Sequence, residues 1–248
     1  EAPWGMAQLT FYADAGRLPL PPQSVVELTD WARRNPGRFT YPKPPQFHGT
    51  TFVKQVLMAL SPDRAVLARP YSEAAFATQT APLWRALDAL HPHLWRAGRQ
   101  FPASTTVMRQ MVADGELIIG LTFNPNEAAN AIAGKQLPAT VQSWQFSGGT
   151  IGNTHFLAIP FNARAAAAAQ VVADFLLSPL AQARKADIRH WGDPTVLALD
   201  KLSAAQRAAF AASAQAPGAV RQPAPAWPEP HGSWVDPLEK EWLRRHGV

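Results

Sequence analysis

Apolar positions along the chain alternate between two spacings, and the alternation predicts strands separated by helices. Leu9-Thr10-Phe11-Tyr12 is a short β-prone run. Ser24-Val25-Val26-Glu27 has the form of a capping box, with Leu28 and Trp31 continuing an apolar helix face and Asn35-Pro36-Gly37 stopping it. Phe39-Thr40-Tyr41 reads as a second strand. A proline-rich loop then leads to Gly49-Thr50-Thr51, which is expected to open a helix through about Leu60. Helices follow over Pro82 to Trp95, with Thr80 as cap and Pro82 in the first turn, and over Thr105 to Ala113, ended by Asp114-Gly115. Glu116 to Phe123 is the clearest strand, a mostly apolar run suited to a covered sheet. Asn126 is placed to cap a short helix that stops at Gly134. Thr140 to Phe146 and Thr154 to Pro160 read as strands flanking a Ser147-Gly148-Gly149 loop, and Ala163 to Leu177 is a helix by propensity.

Strands separated by helices argue for an α/β fold with its sheet covered on both faces. The last third differs: it is helical, broken by prolines, and the stretch from Pro217 to Pro230 reads as a connector wrapped on the surface because Trp227 and Trp234 need something to pack on. The expected division is one α/β lobe over residues 1–150 and a second unit over residues 151–248. Composition bounds the function. With 47% hydrophobic and 17% charged residues, the 248-residue chain can build a sizeable core. No run of eighteen apolar residues occurs. The net charge of +5, from 23 basic and 18 acidic residues, is mild and scattered, so no nucleic-acid partner is expected. The absence of cysteine removes disulfides, thiolate metal sites and cysteine nucleophiles.

Five stretches taken in order resemble one family. They are Pro3-Trp4-Gly5 through Tyr12, Ser24 to Trp31, Gly37 to Pro42 followed by Gly49-Thr50-Thr51-Phe52, Gly115 to Asn124, and Gly152 to Pro160 with Ala163 to Arg184. Together they are similar to the solute-binding proteins of ABC importers, in which two α/β lobes are joined by crossing hinge strands. Within these they resemble the YnjB-like group, related to thiamine, polyamine and iron binders. The resemblance implies a periplasmic protein that captures a small polar or cationic solute between lobes, closes over it, and delivers it to a permease in the inner membrane. It also implies no cofactor, and a monomer at full length. Family members begin with a long segment that builds most of the first lobe, so that lobe is expected to be incomplete here. The apolar faces of Ala163 to Leu177 and of the helix near Ala204 to Ala214 are then expected to lack the sheet they would cover.

Candidate ligand contacts follow from where a cleft would lie. Gly49, Thr50 and Thr51 at a helix N-terminus offer backbone N–H groups to a polar or anionic ligand; an ordinary cap explains them equally well. Thr122, Phe123, Asn124 and Asn126 sit where a strand hands over to a helix, the usual ligand edge of an open sheet, although Asn-Pro-Asn is also good turn chemistry. Trp4, Tyr12 and Trp144 are aromatics near the expected crossings that could stack on a ligand, with core packing the stronger reading for any one of nine tryptophans. Gly148-Gly149 and Gly152 fit a hinge or a plain loop. Enzyme signals are weak. His91-Pro92-His93 reads as a surface turn and not a metal site. His155 has no matched acid in sequence, and Asp187, Asp193 and Asp200 read as solvated. The alternative reading is a small-molecule enzyme or a ligand-sensing domain on a similar scaffold.

Overall fold

The computed structural model describes residues 1–247, leaving aside the side chains of residues 212–214. Its strands are β1 (Ala2–Gln8), β2 (Thr10–Asp14), β3 (Gly120–Thr122), β4 (Val141–Trp144), β5 (Thr150–Leu157) and β6 (Ala226–Trp227). Its helices are α1 (Val25–Arg34), α2 (Phe47–Leu60), α3 (Arg64–Leu67), α4 (Glu73–Leu90), α5 (Thr105–Ala113), α6 (Glu127–Ala133), α7 (Ala166–Leu177), α8 (Pro179–Ala186), α9 (Ala204–Ala214) and α10 (Val235–His246).

The strands form two three-stranded sheets, ordered β1-β5-β6 and β3-β2-β4. β1 runs antiparallel to β5, with Gln8 opposite Gly152, and β6 lies parallel to β5. β2 runs antiparallel to both neighbours, with Thr10 opposite Thr122 and Phe11 opposite Trp144. β1 and β2 are two parts of one extended run, and it changes sheets at Leu9. There Gln8 N–H donates to the Phe123 carbonyl at 3.0 Å and Leu9 N–H to the Ile151 carbonyl at 2.8 Å. The crossing is therefore held by backbone bonds to both sheets.

The main core surrounds α2. From Gly49 to Met58 every residue of this helix is buried, so its sequence is apolar on all sides apart from a few polar groups with partners. Phe39, Tyr41 and Phe52 pack as a ring cluster, and Leu83, Leu87 and Leu90 of α4 close over it. The C-terminal residues Trp234, Leu238 and Trp242 belong to the same core, with Trp234 lying against Tyr71 and Phe76 and Trp242 against Phe101. The proline-rich connector is ordered by the same logic: β6 pairs with β5, and the Arg64 guanidinium sits 3.8 Å over the Trp227 ring.

Local signals placed several elements correctly. Ser24 accepts from Glu27 N–H at the start of α1, while the Glu27 carboxylate reaches back to Gln23 N–H. α5 occupies Thr105–Ala113, and Gly115 follows with φ +75°. Other expectations need correction. Phe39 to Tyr41 is fully buried but forms no strand, because its bonds are isolated ones, Trp95 N–H to the Phe39 carbonyl and Ile118 N–H to the Arg38 carbonyl. The strand expected over Glu116 to Phe123 narrows to Gly120–Thr122. α4 starts at Glu73 under a Ser72 cap and keeps Pro82 in its interior, while Thr80 is buried and accepts from the Trp84 indole. Packing of Leu83, Trp84, Leu87 and Leu90 outweighs the roughly 3 kcal/mol that an interior proline costs a helix.

Beyond Pro160 the character changes. α7 has no buried residue: Val171, Val172 and Phe175 are exposed at 70, 55 and 57%, and Leu176 is half-buried. α9 buries only Phe210 among its described side chains. The expectation of an uncovered apolar face on α7 is met. Among the described residues no single helix is long and apolar enough to cross a membrane, and the apolar pair α7 and α8 bends by 64°.

Candidate functional site

The crossing at Leu9 brings together residues far apart in sequence. Gln8 is pinned there: its side-chain amide donates to Thr150 Oγ1 at 3.0 Å and to the carbonyls of Ala224 and Pro225. α2 grips the return strand from inside, with Gln55 accepting from Ile151 N–H at 2.7 Å and donating to the Gly149 carbonyl. At the preceding position the buried Lys54 ammonium pairs with Glu229 of the connector, whose other oxygen accepts from the Asn153 amide at 2.8 Å. Gly149 holds φ +117° with the connector carbonyl of Pro225 2.8 Å from where a Cβ would stand. The glycines expected to act as a hinge or loop thus include one that tight packing requires.

The polar edge lies where β3 ends. Thr122 is buried, and its hydroxyl accepts from Asn124 N–H at 3.1 Å; the Asn124 side chain accepts from Asn126 N–H at 3.0 Å. Asn126 does not cap α6 with its side chain, as expected from sequence; its amide reaches instead to the Gly192 carbonyl at 2.8 Å. That bond ties the strand tip to the segment after α8. Beside the tip, Phe123 meets Phe47 edge-on, ring centroids 5.3 Å apart, and Phe47 also meets the His48 ring at 5.2 Å. Phe47 is half exposed at 50%, and burial pulls the His48 imidazole below its ordinary pKa. Adjoining the tip is a cavity of about 360 Å³ lined by Met6, Gln8, Asn126, Gln145, Thr195 and Phe210. Its size suits a small solute. It draws its wall from β1, the strand tip and the residues after α8.

The other sequence candidates fall elsewhere. α2 opens at Phe47, two residues before the expected start. Gln46 accepts with its side chain from His48 and Gly49 N–H, and Thr50 N–H is already bonded to the Gln46 carbonyl. The backbone donors expected to serve a ligand at Gly49 and Thr50 are therefore taken. Thr50 donates to Glu239 at 2.5 Å, and Thr51 to the Phe47 carbonyl. Tyr12 is a core residue stacked on Gly120, with its hydroxyl pushed well above the ordinary phenol range by burial and by Glu127. Trp144 is also core, stacked on Phe11 and donating to the Pro22 carbonyl. Trp4 is half-buried on the other sheet, 5.9 Å from Trp191 and under the Lys185 ammonium.

Two readings of the titratable groups are corrected. His91 is not on a surface turn; it is buried against Tyr41 and His246. Asp193 is not solvated. Its carboxylate takes the Lys185 ammonium at 2.6 Å and faces His155 Nε2 at 3.1 Å, supplying the acid that sequence spacing did not reveal. Asp187 pairs with Arg189, whose guanidinium holds its carboxyl well below the carboxylate range. The described residues hold no group of three or more His, Cys, Asp or Glu side chains arranged for a metal ion.

The family model of bacterial extracellular solute-binding proteins matches residues 1–216. The chain belongs to this family. Its members are solute-binding proteins and not enzymes. Protein YnjB of Escherichia coli K12 is 50% identical over 251 residues, covering 100% of this chain and 63% of YnjB, so the chain spans just under two thirds of that relative's length. The fold is similar to an ABC transporter structure from Clostridium perfringens, with a TM-score of 0.64 at 15% identity over 99% of this chain and 67% of the other. It is also similar to the spermidine/putrescine substrate-binding protein PotD of Streptococcus pneumoniae, with a TM-score of 0.61 at 12% identity over 98% of this chain and 67% of PotD. The family's periplasmic-binding-protein-like α/β fold is the one expected from sequence. Four residues that shape the site escaped the sequence reading: Gln8, Phe47, Lys54 and Gln55. Lys54 and Gln55 carried a signal, being long polar side chains inside an otherwise apolar helix.

Proposed function

We propose that this chain is the periplasmic solute-binding component of an ABC importer, capturing a small polar or cationic solute at the crossing and presenting the closed form to an inner-membrane permease. The observation that carries this reading is the change of sheet at Leu9, beside a solute-sized cavity lined by the amides of Gln8, Asn126 and Gln145, with the aromatic rings of Phe47 and Phe123 next along the strand tip. Of the sequence candidates, Asn124 and Asn126 are retained as ligand contacts, joined by Phe47 and Phe123; Trp4, Tyr12, Gly49, Thr50, Thr51, Thr122 and Trp144 act as support. An amide-and-aromatic edge suits a polar or cationic solute, through hydrogen bonds and the negative faces of the rings.

In this reading residues 1–150 carry one lobe and residues 151–248 lead through the return strand into the other, with α10 docked back on the first. The exposed face of Val171, Val172 and Phe175 is then a packing surface of that other lobe. Closure is a population shift, in which the solute binds the closed arrangement better than the open one. The test is a thermal-shift screen of a solute library on the protein at full native length. One chemical class is expected to stabilise it by about 2.7 kcal/mol at a hundred times its dissociation constant. Steady turnover of any such solute, abolished by one cleft substitution, would defeat the reading, as would a library in which no polar or cationic solute shifts the melt.

A further inference from the structure

Away from the cleft, the C-terminal helix is docked through a buried chain of polar rings. Trp242 Nε1–H donates to the Tyr41 hydroxyl at 2.8 Å, and that hydroxyl lies 2.7 Å from His91 Nε2. A hydroxyl has one proton. One arrangement satisfies all three groups: the hydroxyl receives the indole N–H and gives its own proton to a neutral His91 with Nε2 bare. Tyr41 is fully buried and His91 nearly so, and a proton on Nε2 would cost the buried phenol proton this acceptor. The second ring of the pair is His246 in the last turn of α10. It stacks on His91 with centroids 3.8 Å apart, its side chain is 9% exposed, and its Nε2 is buried with no hydrogen-bond partner.

We propose that the His91–His246 stack is an acid-sensitive latch: neutral rings hold α10 against the lobe, and protonation releases the helix together with Tyr41. The charged groups facing the pair are Asp88 of α4, whose carboxylate stands 3.4 Å from His246 Nε2, and Glu241 and Arg245 of α10 itself. Asp88 is half exposed and engaged with Arg245 as well, so it offsets only part of the cost of charging His246. Burial lowers the proton affinity of both rings, and His91, pushed down to about 3, is lowered further by the neighbouring His246. Release returns both rings to water and to an ordinary value near 6.5. Acid therefore favours the released helix. Tyr41 opens directly into the loop of residues 42–46, which ends at the Gln46 cap ahead of Phe47 and His48, so this loop and the first turn of α2 loosen with the helix. The inference does not depend on which solute is bound, or on whether one is.

Hydrogen exchange of the full-length protein at pH 7.5 and 5.0, corrected for intrinsic rates, reads the latch directly. One histidine that is neutral when docked and ordinary when released makes opening about 30-fold more frequent at the lower pH. A 30-fold or greater loss of protection is expected in the last turns of α10 and in residues 41–48, with α5 unchanged. His246→Phe keeps the ring stack without its titration and should reduce the loss. Asp88→Asn, at an exposed position, removes the counter-charge of docked His246 and should enlarge it. The latch is overturned if α10 loses less than about 3-fold, if α5 opens with it, or if both variants follow the unmodified protein.

Discussion

Gly49→Ala tests whether the start of α2 is a packing device or an open ligand site. Gly49 lies in the first turn of the helix, beneath the loop of residues 42–46. A Cβ there would stand 2.8 Å from the Pro42 carbonyl carbon and 2.9 Å from that of Lys43, and closer still to the Pro42 oxygen. All three are backbone atoms, so no side-chain rotation relieves the contact, and the loop or the helix must shift. Overpacking of this kind costs typically about 1–3 kcal/mol, and a backbone partner places it near the upper end. Alanine also returns up to about 1 kcal/mol of helix propensity over glycine. The net expectation is a destabilisation of about 2 kcal/mol, a fall in Tm of roughly 4–8 °C for a chain of this size. Thermal unfolding followed by circular dichroism measures it. A variant that melts at or above the unmodified protein would show that the loop is not held against α2 as described, and would reopen Gly49 as a ligand contact.

Asp193→Asn leaves the Lys185 ammonium, 2% exposed, with neutral acceptors and the Trp4 ring but no counter-charge; removing one charge of a buried pair costs about 3–5 kcal/mol, and a Tm unchanged within 2 °C would refute the burial argument. Phe47→Ala should weaken solute binding about tenfold in titration calorimetry while shifting stability by about 1 kcal/mol or less, since the ring is half exposed; equal affinity would remove Phe47 from the cleft. Global stability should fall with acid through His91. Its folded value of about 3 lies below the ordinary 6.5, so its contribution is complete above pH 6.5 and is lost as pH drops toward 3, by about 1.4 kcal/mol per pH unit. Urea unfolding at pH 7 and 5.5 checks this, and identical free energies at the two would contradict it.

Short-range chemistry made much of the fold legible in the sequence. Ser24 with Glu27, and Gly115 after α5, act on neighbours a few residues away, and such signals read the same in any tertiary context. The apolar face of α7 was legible too, in an Ala-rich helix bearing Val171, Val172 and Phe175, while the expectation that it stands uncovered came from the family resemblance. What sequence alone could not place depends on pairs brought together only by folding. Gln8 meets Thr150 across 142 positions, Lys54 meets Glu229 across 175, and Tyr41 meets Trp242 across 201. Those pairings decided that Tyr12 and Trp144 are core and that His91 is a buried ring. The start of α2 at Phe47 is instead a local event that the sequence reading missed, Gln46 closing the first donors with its own side chain. Local pattern states which residues want burial or a partner. Only the tertiary structure decides which partner each one finds, because a buried polar group is satisfied by whatever the packed chain brings within about 3 Å.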